Sequence, residues 1–115
     1  MTSSIASEQK QTCMRLGTPY FPCDMNQKVG VSQGVRNGVR PLNGMRVSPA
    51  EGTCGWYIWA GEEFSEAPDF FMPLHAIHLL DWAPVVVPYL GLPPGWRFLV
   101  AENYEDVWQD PQLSL

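Results

Sequence analysis

Alternating side chains predict three β-strands in the second half of the chain. Residues 55–60 alternate with apolar side chains on both faces, which predicts a strand in the interior of a sheet. Residues 96–101 alternate in the same way, and an extended segment at residues 104–108 is expected to pair with them after a turn at Glu102-Asn103. We therefore expect this half of the chain to hold the folded core.

The first half of the chain predicts one helix followed by turns and short strands. A serine at position 3 or 4 is able to cap a helix that runs to about Leu16. Asn37-Gly38 and Asn43-Gly44 are typical of turns between short strands, because asparagine and glycine tolerate positive φ. The Gly-Val pairs of residues 29–47 lack the spacing of a phosphate-binding loop. Residues 48–53 are expected to form a loop.

Prolines divide the stretch between the strands into two further helices. Pro73 suits the first position of a helix. Its buried stripe would be formed by every third residue, namely Leu74, Ile77 and Leu80. Pro84 closes this helix and opens a second one, which Gly91 would end in a left-handed conformation.

The order of these elements predicts the fold class. A chain of 115 residues fits one domain with one core. Strands, then helices, then strands with short connections predict an α+β fold, in which a mostly antiparallel sheet packs with two or three short helices. We therefore expect residues 1–115 to form a single domain, with residues 1–16 as an N-terminal helix or arm.

Charge is distributed unevenly along the chain. The first fifty residues carry six basic and two acidic side chains, and the remainder carries one basic and ten acidic ones, which gives the net charge of −5. An acidic, aromatic-rich surface repels nucleic-acid phosphates and anionic lipids and favours cationic protein partners. The alternative is that most of these carboxylates are simply solvated.

Cysteines and the N-terminal sequence predict a cytoplasmic location. Cys13, Cys23 and Cys54 are odd in number and show no CxxC spacing, so neither a disulfide framework nor a zinc site is indicated. Reduced thiols in the cytoplasm are the simplest interpretation. The polar residues 1–13 do not resemble a secretory signal, and no apolar run is long enough to cross a membrane.

A histidine pair is one candidate for chemistry. His75 and His78 lie three residues apart, and on a helix they could hold a metal together with one carboxylate, namely Asp69, Asp81 or Glu62. The HxxH motif is short and lacks the glutamate of HExxH. The alternative is a structural histidine at position 78 that donates a hydrogen bond to Asp81.

Adjacent carboxylates and exposed aromatic residues are the other candidates. Glu62 and Glu63 end the strand at residues 55–60, where aromatic neighbours could raise a carboxyl pKa for general acid catalysis. The alternative is a structural role, with hydrogen bonds from Arg97 or loop amides. A domain of this size cannot bury all of its aromatic side chains, and aromatic residues with a carboxylate rim are typical of protein-binding surfaces. The candidates are Tyr57, Trp59, Phe70, Phe71 and Trp108. The alternative is that most of them pack in one core or across a dimer contact.

Four runs of sequence resemble the bacterial immunity protein 33 family. They are GWYIWAGEEFS at residues 55–65, PDFFxPLHxxHL at 68–79, PYLGLPPGWRF at 88–98 and YEDVW at 104–108. The likeness covers about half of the chain, so that residues 54–110 form the family-like core. Before Gly55 the similarity is looser.

The resemblance implies a small cytoplasmic protein, encoded beside a polymorphic toxin, that binds and neutralises this toxin without catalysis or a cofactor. On this interpretation the partner is a cognate toxin protein, and a homodimer stays open as an alternative. The partner-binding residues would lie on and after the central strand, namely Trp59, Glu62, Glu63, Asp69, Phe70 and Phe71. The competing hypothesis is a small-molecule or metal-binding domain, or a hydrolase, that uses His75, His78, Glu62 and Asp69.

Overall fold

The computed structural model describes residues 4–62, 65 and 67–113 of the chain. A six-stranded sheet has the order β4-β1-β3-β2-β5-β6, and its neighbouring strands are antiparallel except for the parallel pair β1 and β3. The strands are β1 (Lys28–Val31), β2 (Leu42–Arg46), β3 (Thr53–Ala60), β4 (Met72–His75), β5 (Trp96–Ala101) and β6 (Tyr104–Gln109). The predicted α+β fold with a mostly antiparallel sheet is confirmed.

Short helices accompany the sheet. The described part of the chain contains three α-helices, namely α1 (Ile5–Leu16), α2 (Gln33–Arg36) and α3 (Leu79–Trp82). The same described residues also include three 3₁₀-helices, namely Ala76–His78, Pro84–Tyr89 and Pro111–Leu113.

Helix α1 begins and ends where the sequence predicts. The Ser4 hydroxyl accepts a hydrogen bond from the Ser7 backbone N–H at 3.0 Å, and Gly17 ends the helix in the left-handed region at φ 73°. The buried side of α1 faces the 3₁₀-helix Pro84–Tyr89 and the residues after it. Gln9 Nε2 donates to the Val87 carbonyl at 3.0 Å. Helix α1 therefore covers one face of the fold through specific polar contacts as well as apolar packing.

Strand β3 occupies the interior of the sheet, as its two apolar faces predict. It pairs with β1 on one side and β2 on the other. Trp56 and Ile58 are almost completely buried on the side that faces α1. The hairpin of β5 and β6 is likewise confirmed, and Asn103 takes a positive φ of 62° in its turn.

The predicted helix at Pro73 is wrong at its start: residues 73–75 are extended, and helical structure follows only as the 3₁₀-helix Ala76–His78 and α3, which ends before Pro84 as the sequence predicts. Pro73 lies in strand β4, where it is opposite Gly30 of β1. Proline is tolerated there because β4 is an edge strand of the sheet. The predicted buried stripe is also wrong, since Ile77 and Leu80 are each 39% exposed. Residues 72–75 are extended because pairing with β1 satisfies their backbone hydrogen bonds, although the three-residue repeat favours a helix.

Two predictions about glycines also fail. Gly44 lies inside β2, not in a turn, and the Phe98 ring packs where a Cβ atom would stand. Gly91 has no positive φ. A Cβ at Gly91 would come within 2.7 Å of Tyr20 Cε1, so close packing is its structural reason. Gly38, at φ 76°, does adopt the turn conformation that the sequence predicts.

Arg46 is buried at the end of β2, with 1% of its surface exposed. Its guanidinium donates five hydrogen bonds of 2.8 to 3.1 Å, and every acceptor is a backbone carbonyl. The acceptors belong to Phe21, Pro22, Cys54, Leu90 and Leu92. One cation thus joins the α1–β1 connection to strand β3 and to the segment before β5, a structural role that the sequence did not reveal.

Candidate partner-binding face

The second face of the sheet carries most of the aromatic residues that the sequence identified. Tyr57 and Trp59 point away from Trp56 and Ile58, because side chains alternate along β3. Phe71 packs over both of them, with ring centroids 5.1 Å from Tyr57 and 6.2 Å from Trp59. We call this surface the aromatic face and define it by Tyr57, Trp59, Phe70, Phe71, Arg97 and Trp108.

Phe70 and Phe71 return the chain onto β3 after the strand has ended at Ala60. Their own rings meet edge to face at 4.9 Å, a favourable geometry for aromatic pairs. The structure therefore brings together three of the predicted contact residues, Trp59, Phe70 and Phe71. Trp59 is only 5% exposed, whereas Tyr57 is 36% exposed. Tyr57 is the more accessible ring, and Trp59 supports the others from beneath.

Arg97 of β5 lies between Trp59 and Trp108 on the aromatic face. Its guanidinium carbon lies 5.8 Å from the Trp59 ring centroid and 5.6 Å from that of Trp108, both within cation–π range. Nη1 of Arg97 pairs with Oδ2 of Asp110 at 3.1 Å. Its Nε atom is buried and has no hydrogen-bond partner among the described residues. Two tryptophans and one carboxylate therefore hold this cation in place.

Asp110 was not identified from the sequence as the partner of Arg97. The pair forms because antiparallel pairing places Trp108 opposite Arg97 and Gln109 opposite Trp96, so that Asp110 follows at the same end of the hairpin. The contact between Arg97 and Asp110 follows from the register of β5 and β6, and no sequence motif indicates it.

Three exposed carboxylates adjoin the aromatic face through their positions in the chain, and we call Glu62, Asp69 and Asp106 its carboxylate rim. Glu62 follows β3 and Asp69 precedes the phenylalanine pair, and both are exposed. Asp106 is also exposed and lies on the same side of β6 as Trp108, two residues away. Glu63, which the sequence also indicated, lies outside the described residues. Since Arg97 is already paired with Asp110, the exposed rim contributes negative charge.

A cleft opens at one end of the aromatic face. It has a volume of about 270 Å³, and Tyr57, Phe71 and Met72 form apolar walls. Lys28 and Ser48 add polar groups to its lining. This volume is close to the lower limit for a small-molecule site, and it suits one large side chain of a partner. Met72 and Ser48 were not identified from the sequence: Met72 reaches the cleft through the pairing of β4 with β1, and Ser48 lies in the connection between β2 and β3.

The histidine pair does not have the geometry that the metal hypothesis requires. His75 ends β4 and His78 ends a 3₁₀-helix, so the two do not share one α-helix. Their ring centroids are 6.4 Å apart, and both side chains are exposed. Within residues 4–62, 65 and 67–113, no group of three or more histidine, cysteine, aspartate or glutamate side chains is arranged to hold a metal. The metal-site hypothesis therefore has no support in the described structure.

In the part of the chain that the structure describes, no helix has both the length and the apolar character to span a bilayer.

Comparison with known proteins identifies the family. No curated protein and no solved structure matches the chain. The model of the Imm33-like domain matches residues 8–110, so the match includes α1 from residue 8 onward as well as the family-like core recognised from the sequence. The chain therefore belongs to the family of Imm33-like domains.

Proposed function

We propose that this protein is a non-enzymatic immunity protein that binds and neutralises a cognate bacterial toxin through the aromatic face. The observation that carries the proposal is the aromatic face itself, with its carboxylate rim. Helix α1 packs on the opposite side of the sheet, where Trp56 and Ile58 of β3 point. The family name supports an immunity function.

The composition of this face suits protein recognition. Tyrosine, tryptophan and arginine are the residues most often found at energetic hot spots of interfaces. Tyr57 and Trp108 present large rings with little conformational freedom to lose, because each is held by neighbouring groups at 5.1 and 5.6 Å. The cleft beside Tyr57 would receive an apolar side chain of the partner. Phe70 and Phe71 extend the same contact surface.

The rim determines which partner fits. Glu62, Asp69 and Asp106 give the face negative charge, and the whole chain carries a net charge of −5. A cationic surface on the toxin would therefore be attracted over a distance of about one Debye length, and association would be faster at low salt. Many enzymes that cleave nucleic acids have cationic active sites, which such carboxylates would occupy. A second copy of this chain is the alternative occupant, and a cytoplasmic location completes the proposal.

Charge reversal on the rim tests this proposal. The tagged protein is used to isolate its partner from a lysate of the native host, and the affinity for the purified partner is then measured. Glu62→Lys with Asp69→Lys is expected to weaken binding by tenfold or more. The matched control is Glu8→Lys with Asp81→Lys, which changes the net charge equally on exposed residues of α1 and α3.

The comparison of the two double variants decides the result. Loss of binding in the rim variant alone supports recognition by the aromatic face. Equal affinity of both variants for the partner contradicts the proposed location. Size-exclusion chromatography of the isolated protein addresses the alternative, because a dimer that dissociates in the rim variant would assign the face to self-association.

A further inference from the structure

Two of the three cysteines meet in the folded protein. Cys23 lies between α1 and β1, and Cys54 is the second residue of β3. Their Sγ atoms are 2.7 Å apart, although 31 positions separate them in the sequence. Cys23 is 7% exposed and Cys54 is 1% exposed. Cys13 takes no part in this contact, since its thiol donates to the Gly91 carbonyl at 3.3 Å.

The buried guanidinium of Arg46 lies beside this cysteine pair. Its Nε atom donates to the Cys54 carbonyl at 2.9 Å, and Nη2 donates to the carbonyl of Pro22, the residue before Cys23, at 3.1 Å. All five of its hydrogen bonds go to neutral carbonyls, so its charge is not balanced by an ion pair among the described residues. A nearby cation stabilises a thiolate, which is the reactive form of cysteine.

The two thiols have different acidities. The hydrogen bond from Cys23 lowers the pKa of Cys54, and the charge of Arg46 acts in the same direction, while burial opposes both. The same hydrogen bond, together with burial, raises the pKa of Cys23. Cys54 is therefore the more acidic thiol of the pair and accepts the hydrogen bond from Cys23, while its own Sγ lies 3.2 Å from the carbonyl oxygen of Asp24.

We propose that Cys23 and Cys54 form an oxidation site, at which hydrogen peroxide converts the two thiols into a disulfide within the folded protein. The Cys54 thiolate attacks one peroxide oxygen, so that an S–O bond forms, the O–O bond breaks and hydroxide leaves. Cys23 then loses its proton and attacks the Cys54 sulfur, which forms the S–S bond and breaks the S–O bond. Two electrons pass from the thiols to the peroxide, and the products are the disulfide and two molecules of water.

The surrounding structure permits this reaction. Cys23 keeps 7% of its surface exposed, and Phe21, Pro22 and Asp24 beside it are exposed, so the α1–β1 connection is the side from which a small oxidant would reach the pair. A disulfide requires an S–S distance of about 2.05 Å, so the sulfur atoms move by less than about 1 Å. The new bond would fix the α1–β1 connection to β3. In a reducing cytoplasm such a bond would be transient and would form under oxidative conditions.

Thiol counting on the full-length protein tests the proposal. The protein is reduced, freed of reductant and treated with hydrogen peroxide, and its thiols are then alkylated after denaturation. Three reactive thiols are expected before treatment and one afterwards, and peptide mapping should show a Cys23–Cys54 crosslink. Dithiothreitol should restore all three. Closure of this loop should raise the melting temperature by an amount on the order of 10 °C.

Variants make the outcome decisive. Cys13→Ser should still lose both of its remaining thiols and form the same crosslink. Cys23→Ser and Cys54→Ser should each form no intramolecular disulfide, and a fold defect in either does not affect the Cys13→Ser result. Glutathione in a parallel reaction reports the oxidising power of the peroxide. Three free thiols in the protein after glutathione is fully oxidised, or a crosslink that contains Cys13, would overturn the proposal.

Discussion

Replacement of Arg46 by methionine is expected to destabilise the fold severely. The substitution keeps a long side chain but removes all five hydrogen bonds that the guanidinium donates to the surrounding carbonyls, three of which share Nη1. One acceptor, the Leu90 carbonyl, keeps the indole N–H of Trp56 at 2.9 Å. Four other carbonyls lose the donor that Arg46 supplies. The arginine therefore contributes mainly by satisfying the backbone of its neighbours.

The magnitude follows from these four groups. A partly or fully buried carbonyl that loses its donor costs about 1–1.5 kcal/mol, so four of them cost about 4–6 kcal/mol. Methionine avoids the cost of burying a charge, which offsets part of this loss, and we expect a net loss of about 3–5 kcal/mol. Small domains unfold with free energies of about 5–15 kcal/mol, so the variant would be close to unfolding.

Urea denaturation measures the effect. With an m-value of about 1.5 kcal/mol/M, the midpoint should fall by about 2 M or more. Arg46→Lys keeps the charge and offers three donors instead of five, so its loss should be intermediate. Arg36→Met is the matched control, because Arg36 is exposed and its guanidinium lies 5.2 Å from the Trp82 ring centroid. That control should lose at most about 1 kcal/mol. An Arg46→Met variant no less stable than the control would refute the reasoning.

Two further predictions concern packing and pH. Gly44→Ala should reduce the free energy of unfolding by about 1–3 kcal/mol in urea denaturation, because the new Cβ would overlap the Phe98 ring; unchanged stability would contradict the close packing. Burial, together with a hydrogen bond to Glu105, raises the pKa of Tyr89 to about 12. Since this pKa lies above the unfolded value near 10, the associated stability is complete below pH 10 and is lost as the pH rises through about 12. Melting temperatures measured between pH 9 and 12 should therefore fall more for the natural protein than for Tyr89→Phe.

Local signals account for the elements that the sequence predicted correctly. Helix α1 has a serine cap and a glycine end within its own segment, and β3 and β5 show their alternation over neighbouring residues. Strand β4 has no such signal. Its four residues contain a proline, and they are extended because β1, far back in the chain, offers an edge to pair with. The repeat of Leu74, Ile77 and Leu80 predicts a helix whose first turn this pairing excludes, so that helical structure begins only at Ala76.

The same distinction separates the parts of the candidate site. Trp59, Phe70 and Phe71 could be selected from the sequence because large aromatic side chains are conspicuous in any position. The partner of Arg97 could not, since it depends on the register of a hairpin. Arg46 was grouped by its charge with other basic residues, but charge in a sequence does not show solvent exposure. In this fold the Arg46 guanidinium donates its hydrogen bonds to backbone carbonyls of three distant segments instead of to water.

Strand β3 connects the two proposals and also separates them. Its outward residues Tyr57 and Trp59 belong to the aromatic face, whereas Cys54 packs with the core and accepts a hydrogen bond from Arg46 through its carbonyl. Because successive side chains of a strand point to opposite faces, a change on the rim does not alter the surroundings of the thiols. The double variant Glu62→Lys with Asp69→Lys would then still form the Cys23–Cys54 disulfide, and Cys13→Ser would still bind the partner. Each proposal can therefore fail without the other.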